Sequence, residues 1–241
     1  MNITSAIAPS EPLFTGGGRT RPLTIKRSAL ARRMRLAVDP RDGSVRLTLP
    51  PRTGLRQALA WAESQRAWIE AALSALPAPQ PFGPGASFPF DGLTLTLCWA
   101  PGSRTVRIDG DDMIVGGPET MAAGRALRWM RAEAARRLEA ETRAFAIRAG
   151  VTVGRVRVGD PRSRWGSCSA RGDIAYSWRL ILMPPTVREA TVAHEVAHRL
   201  HMNHGPEFHA AVARLLGRDP TAERAWLRSN GARIHGIGRT D

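Results

Sequence analysis

Several things are scarce in this sequence, and each scarcity removes a class of protein. Two cysteines, Cys98 and Cys168, in 241 residues are too few for a disulfide framework. With no bridges to protect, a reducing cytoplasm is the simplest home. No stretch approaches the ~18 consecutive uncharged apolar residues of a membrane span, so no membrane partner is expected. The opening MNITSAIAPS has neither a basic start nor a long apolar centre, which argues against a secretory leader. Tyrosine occurs once, at Tyr176, and lysine once, at Lys26, against 34 arginines. That skew is as compatible with a coding bias as with a function.

What remains is an ordinary globular composition: 43% apolar and 23% charged, enough chain for one large domain or two small ones. The net charge of +14 permits a polyanionic partner such as nucleic acid. The arginines, however, are interleaved with apolar residues along the whole chain and form no basic tail. A solvated basic surface is the plainer reading.

Residues 1–20 end in Gly16-Gly17-Gly18 without periodicity and read as a loose arm. Strands are expected at Pro22–Arg27, Met34–Val38 and Val45–Leu49, the last two joined by the turn signature Asp39-Pro40-Arg41-Asp42-Gly43. Apolar periodicity from Leu55 to Leu76 predicts one helix, with Trp61 and Trp68 on a shared face. After the Pro/Gly-rich 77–85, short strands are expected around 88–90, 93–99, 105–108 and 113–115, so 21–118 is β-rich with one helix. Glu119–Ala149 reads as a long helix stopped by Gly150, with Met121, Leu127, Met130, Leu138, Phe145 and Ile147 as its buried residues. Strands at 152–158, 164–167 and 174–182 follow, and no internal repeat is visible.

The chemistry concentrates in PPTVREATVAHEVAHRLHMNHGPEFH, residues 184–209. Thr186 and Glu189 form a capping-box pattern at a helix start. His194 and His198 are four apart, on one helical face with Cβ atoms ~5–6 Å from each other, so both can reach one Zn²⁺. Glu195 can then reach a metal-bound water as its base. A helix ending near His201 and a new one starting at Pro206 turn the chain at 202–205, which can swing His204 back as a third ligand. His201, Glu207 and His209 compete for that place. His201 lies seven residues from His194, ~10 Å along the axis, and His209 reads better as a residue beside the ligands. The plain alternative for His194 and His198 is a pair of helix histidines without a metal.

HEVAH, five residues, then HGPEFH resembles the YgjP-like and SprT-like zinc metallopeptidases. Upstream, Arg162-Ser163-Arg164-Trp165-Gly166-Ser167-Cys168-Ser169, Gly172-Asp173-Ile174 and Trp178–Pro184 are similar to the segment before the metal helix in the YgjP-like branch. The interval from His198 to His204 equals that of the metzincins, but His201 stands where they carry glycine and no Met-turn follows. The resemblance implies Zn²⁺ held by His194, His198 and His204, with Glu195 as catalytic base. It implies an α+β fold: the β-rich region, then over 119–241 a compact zincin-like domain with an antiparallel sheet, the long helix and the metal helix. The expected activity is peptide-bond hydrolysis on a protein or peptide substrate, an edge strand within 174–182 aligning the chain. Two alternatives stay open. One is a nucleoside triphosphate (UTP) pyrophosphatase, for which Arg162, Arg164 and Arg179 would suit the phosphates unless they pair with Asp160 and Asp173. The other is a DNA-associated SprT-like protease. Trp165, Cys168 and Tyr176 read as packing residues.

Overall fold

A computed structural model of the chain describes residues 13–16, 19–39, 43–76, 80–161 and 164–238. The fold is α+β, and it divides into two compact units, Met1–Pro77 and Ala78–Asp241. Among the described residues no helix is long and apolar enough to cross a membrane.

In the first unit, β1 (Leu13–Gly16), β2 (Arg19–Arg27), β3 (Arg35–Val38) and β4 (Val45–Leu49) form a sheet ordered β1-β2-β4-β3. Of the expected loose arm, 13–16 and 19–20 are therefore strand, because Phe14 is buried and Leu13–Gly16 pairs with Arg19–Pro22. Residues 1–12, 17 and 18 lie outside the described residues, as do 40–42 of the expected turn. Gly43 closes that turn at φ +65, donating to the Asp39 carbonyl at 2.9 Å. Alternation puts Leu23, Val45, Leu47 and Leu49 into the core. The helix expected over 55–76 is two, α1 (Leu55–Ser64) and α2 (Arg66–Ser74). The Ser64 hydroxyl donates to the Trp61 carbonyl at 2.7 Å, and Gln65 leaves helical geometry at φ −97, ψ 13.

The second unit opens with β5 (Ser87–Phe90), β6 (Leu93–Trp99), β7 (Val106–Asp109) and β8 (Asp112–Val115), ordered β5-β6-β8-β7. Both four-stranded sheets share one plan: two antiparallel hairpins joined by a parallel central pair, β2 with β4 and β6 with β8. The repetition lies in topology and in alternation, which many side chains satisfy, so the sequence shows no obvious repeat. The domain boundary expected at 118/119 differs from the one found. Phe88, Phe90, Leu95, Leu97, Met113 and Val115 share one core with the long helix, which draws 87–115 into the second unit.

That helix, α3 (Ala122–Ala149), follows a short 3-10 turn at Glu119–Met121 and ends on Gly150 at φ +65. Its buried stripe includes Ala122, Ala126, Met130, Ala134, Leu138 and Phe145. Met121 and Ile147 are exposed instead, 50% and 80%. Alanine at four-residue spacing lets α3 lie close to its neighbours, so small residues take the buried face. A second sheet, β9 (Val156–Gly159), β10 (Gly166–Cys168) and β11 (Ile174–Ser177), is ordered β10-β11-β9. It is mixed, where an antiparallel sheet was expected: β11 enters between the other two, antiparallel to β10 and parallel to β9. The expected strand 174–182 ends at Ser177 and continues as a 3-10 turn, Trp178–Leu182. The Ser177 hydroxyl accepts from the Arg179 N–H and starts that turn. Three helices complete the unit: α4 (Pro185–Ala197), α5 (Pro206–Leu216) and α6 (Thr221–Gly236).

An ion network anchors α4. Asp91 and Gly92, at φ +53 and +85, make the two-residue turn between β5 and β6. The Asp91 carboxylate accepts from Arg137 on α3 and from Arg188 on α4, and Arg188 also donates to Glu141 at 2.8 Å. Burial opposes ionisation of Asp91, but the bonds from Arg188 and Arg137 outweigh it and hold its pKa below the ordinary range. Asp91→Asn should therefore destabilise the protein by about 2–4 kcal/mol at pH 7 by denaturant unfolding. Because the folded pKa is depressed, this stabilisation is complete above pH ~4 and is lost as pH falls through the folded value. The gap between wild type and variant should close in acid.

Candidate metal centre

Helix α4 begins without the expected capping box. Pro184 is at the N-cap and Pro185 in the first helical position, so Thr186 already lies inside the first turn. Glu189 meets Arg218 at 3.4 Å instead. The helix also stops earlier than expected, at Ala197 with His198 as C-cap. The N–H groups of Arg199 and Leu200 donate to the carbonyls of Val196 and Ala197 at 2.9 Å, 3-10-type bonds that tighten the last turn where the helix ends. Pro206 then opens α5 as the sequence indicates.

This turn brings His204 back over α4. One ring nitrogen each from His194, His198 and His204 lies within 4.8 Å of the other two, a group that could hold a metal ion. His204 Nε2 is 3.2 Å from His194 Nε2. Two nitrogens at ~2.0–2.1 Å from one tetrahedral ion stand ~3.3 Å apart, so this spacing fits a shared metal. His198 Nδ1 faces the His201 carbonyl at 3.2 Å, which fixes the ring and leaves Nε2 for the ion. The fully buried ring of Phe208, from α5, lies 4.6–4.8 Å from all three imidazoles. Burial, with the neighbouring histidines and Arg224, pushes the His194 pKa down to about 4, and burial lowers that of His198. Near neutral pH these rings are in the uncharged form that binds metals.

Neither His201 nor His209 joins the group. His201 Nδ1 is 3.6 Å from Glu207 Oε2, and His209 lies on the wall of the adjoining cavity.

Glu195 is 5% exposed, and no hydrogen bond or ion pair reaches its carboxylate from the described residues. Burial raises its pKa to about 7, against a smaller opposing effect of Arg164. The carboxylate is wedged against β10: a Cβ on Gly166 would stand 2.5 Å from Glu195 Oε1. Glycine at 166 therefore leaves the Glu195 side chain its place, a role the RWGSC motif does not announce.

A family model for the YgjP-like metallopeptidase domain matches residues 32–230. The chain belongs to the YgjP-like family. Curated proteins and solved structures yield no match. Metallopeptidases are metal-using hydrolases, and in this YgjP-like chain the three histidines are a group able to hold the metal.

Beside His194 and Glu195 the YgjP-like chain has a cavity of about 240 Å³, walled by Trp165, Val212 and Leu227 among others, with Arg224 at its edge. The α6 side of this wall carries no motif, and the sequence offers no signal for it. Trp165 stacks on His235 at 4.2 Å. Of the arginines considered for an anion, Arg179 is buried and bound to Asp160 and to the Ile237 carbonyl, so it is structural. Asp173 accepts from the Arg155 backbone N–H at 2.8 Å. Arg162 lies outside the described residues. Tyr176 is buried and bonded to Thr142 at 3.1 Å, too enclosed to meet substrate. Cys168 is half-buried beside the core, and burial raises its thiol pKa.

Two outcomes follow for purified variants. Metal analysis should find His204→Ala depleted and His209→Ala near wild type. Gly166→Ala should keep its metal but lose up to ~10²-fold in turnover, since the added methyl must displace the Glu195 carboxylate.

Proposed function

We propose that the chain is a zinc-dependent peptidase in which His194, His198 and His204 hold the ion and Glu195 is the general base. The observation that carries this reading is a buried carboxylate, unpartnered among the described residues, next in sequence to one of three imidazoles able to hold a metal. Three imidazole nitrogen donors suit zinc, and three protein ligands leave a position open for substrate. A bound zinc ion would supply Lewis acidity, lowering the pKa of water and polarising the scissile carbonyl.

The remaining steps belong to the chain. Glu195, with a pKa near 7, accepts a proton from the attacking water and passes it to the departing amine. Its desolvated setting makes it a stronger base than an exposed glutamate. The edge-strand expectation within 174–182 needs correction, because β11 is the central strand of its sheet. β10 and β9 are the edges instead, and β10 lies against Glu195. An extended peptide could add to that edge through backbone hydrogen bonds and place a side chain in the apolar cavity.

A second reading, hydrolysis of a nucleoside triphosphate, is favoured by one observation. Arg164 and Arg224 approach the site and make no ion pair with any described residue. The decisive variant serves both readings. Glu195→Gln keeps the side chain's shape but removes the base. It should retain zinc at wild-type stoichiometry while peptide hydrolysis falls ~10²–10⁴-fold. A zinc-loaded Glu195→Gln enzyme as active as wild type would remove Glu195 from the mechanism. UTP hydrolysis without peptide hydrolysis would favour the second reading.

A further inference from the structure

The first unit, Met1–Pro77, has twelve basic residues against five acidic ones, and its charge is not balanced locally. The two acids of its helices are both taken by one arginine: Arg66 is 2.5 Å from Glu63 and 3.5 Å from Glu70. By contrast, Lys26, Arg32, Arg33, Arg35 and Arg46 form no ion pair with any described residue. The register gathers three of them. Lys26 and Arg35 both pair with Thr48, on either side of it, and Arg46 is two residues along the same strand, so all three emerge on the outer face of the sheet. Uncompensated like charges on one face are destabilising and contribute nothing to the core.

At the β3 edge this basic face meets a groove of about 800 Å³. One side is the segment 28–36, with Leu30, Arg32, Arg33 and Arg35; the other is α1 and α2, with Trp61 and Trp68. Trp68 is 49% exposed and Leu30 is 92% exposed, unusual for residues of their size. Flat aromatic faces opposite three guanidinium groups match what a single-stranded polynucleotide offers. Its phosphates pair with arginine, and its unpaired bases stack on indole. A duplex hides its base faces, and an acidic peptide would use the arginines while leaving the indoles unused.

We propose that this groove in the first unit binds single-stranded nucleic acid through Arg32, Arg33, Arg35 and Trp68. The inference does not depend on the metal centre. It is tested by fluorescence anisotropy of the full chain with labelled RNA and DNA oligonucleotides of about 12 nucleotides, across ~50–200 mM salt. Expected is salt-dependent binding of one or both single strands, with RNA against DNA revealing the source. The matching duplex and a poly-glutamate peptide should compete at least ~tenfold less well. Replacing Arg32, Arg33 and Arg35 together by Ala should reduce the salt slope by about 2, at ~0.7 per phosphate contact. Trp68→Ala should weaken binding about tenfold or more with the slope unchanged, and Trp68→Phe should restore most of it. All four positions are exposed or half-exposed, and matching circular dichroism would show that the variants fold. The proposal is overturned if neither single strand binds at the lowest salt or if the variants bind like wild type. Equal competition by the duplex or the acidic peptide would also overturn it.

Discussion

Folding strips most of the water from the Glu195 side chain, which opens only onto the cavity, and no described residue offers its carboxylate a hydrogen bond or ion pair in exchange. The cost is lowered by protonation, which is why burial moves the pKa to about 7. It is held in place by close packing: α4 and β10 approach until a Cβ at Gly166 would have to displace the Glu195 side chain. The approach is fixed from the other end of α4, where Arg188 joins Asp91 of the β5–β6 turn to Glu141 of α3. The helix that carries this carboxylate is thus fixed by ion pairs more than one helical turn away, which make no contact with it.

The imidazole group follows the same logic. Phe208 supplies an apolar floor to three rings, and the His201 carbonyl fixes one of them. Three histidines packed this closely would repel one another if charged. Burial keeps the His194 ring neutral well below pH 7, so a metal meets little competition from protons there. The early end of α4 matters here. Because the helix ends at Ala197, the residues after it turn and carry His204 back to His194 and His198.

Much of this was legible in the sequence where one local rule dominates. The i, i+4 histidines, the Pro206 helix start, the Gly150 stop and the β3–β4 hairpin rest on short-range geometry, and the structure follows them. The sequence reading diverged wherever a tertiary contact outweighed local preference. Thr186 and Glu189 spell a capping box, yet two prolines set the helix start and Glu189 turns to Arg218. Met121 and Ile147 look like core, yet alanines take the buried face because α3 must lie close to its neighbours. The Ser64 and Ser177 hydroxyls each turned the chain where periodicity alone ran on. Gly166 and the α6 wall of the cavity were invisible, since neither a close approach nor a wall built from a distant helix leaves a local pattern.

The function proposed for this chain turns on whether His194, His198 and His204 form one three-nitrogen metal site with an open position. X-ray absorption spectroscopy of the zinc-loaded protein tests it most directly. The account predicts a first shell of low-atomic-number scatterers at ~2.0–2.1 Å, fitted by three imidazoles and one oxygen. A sulfur scatterer at ~2.3 Å, or four imidazoles closing the shell, would contradict it.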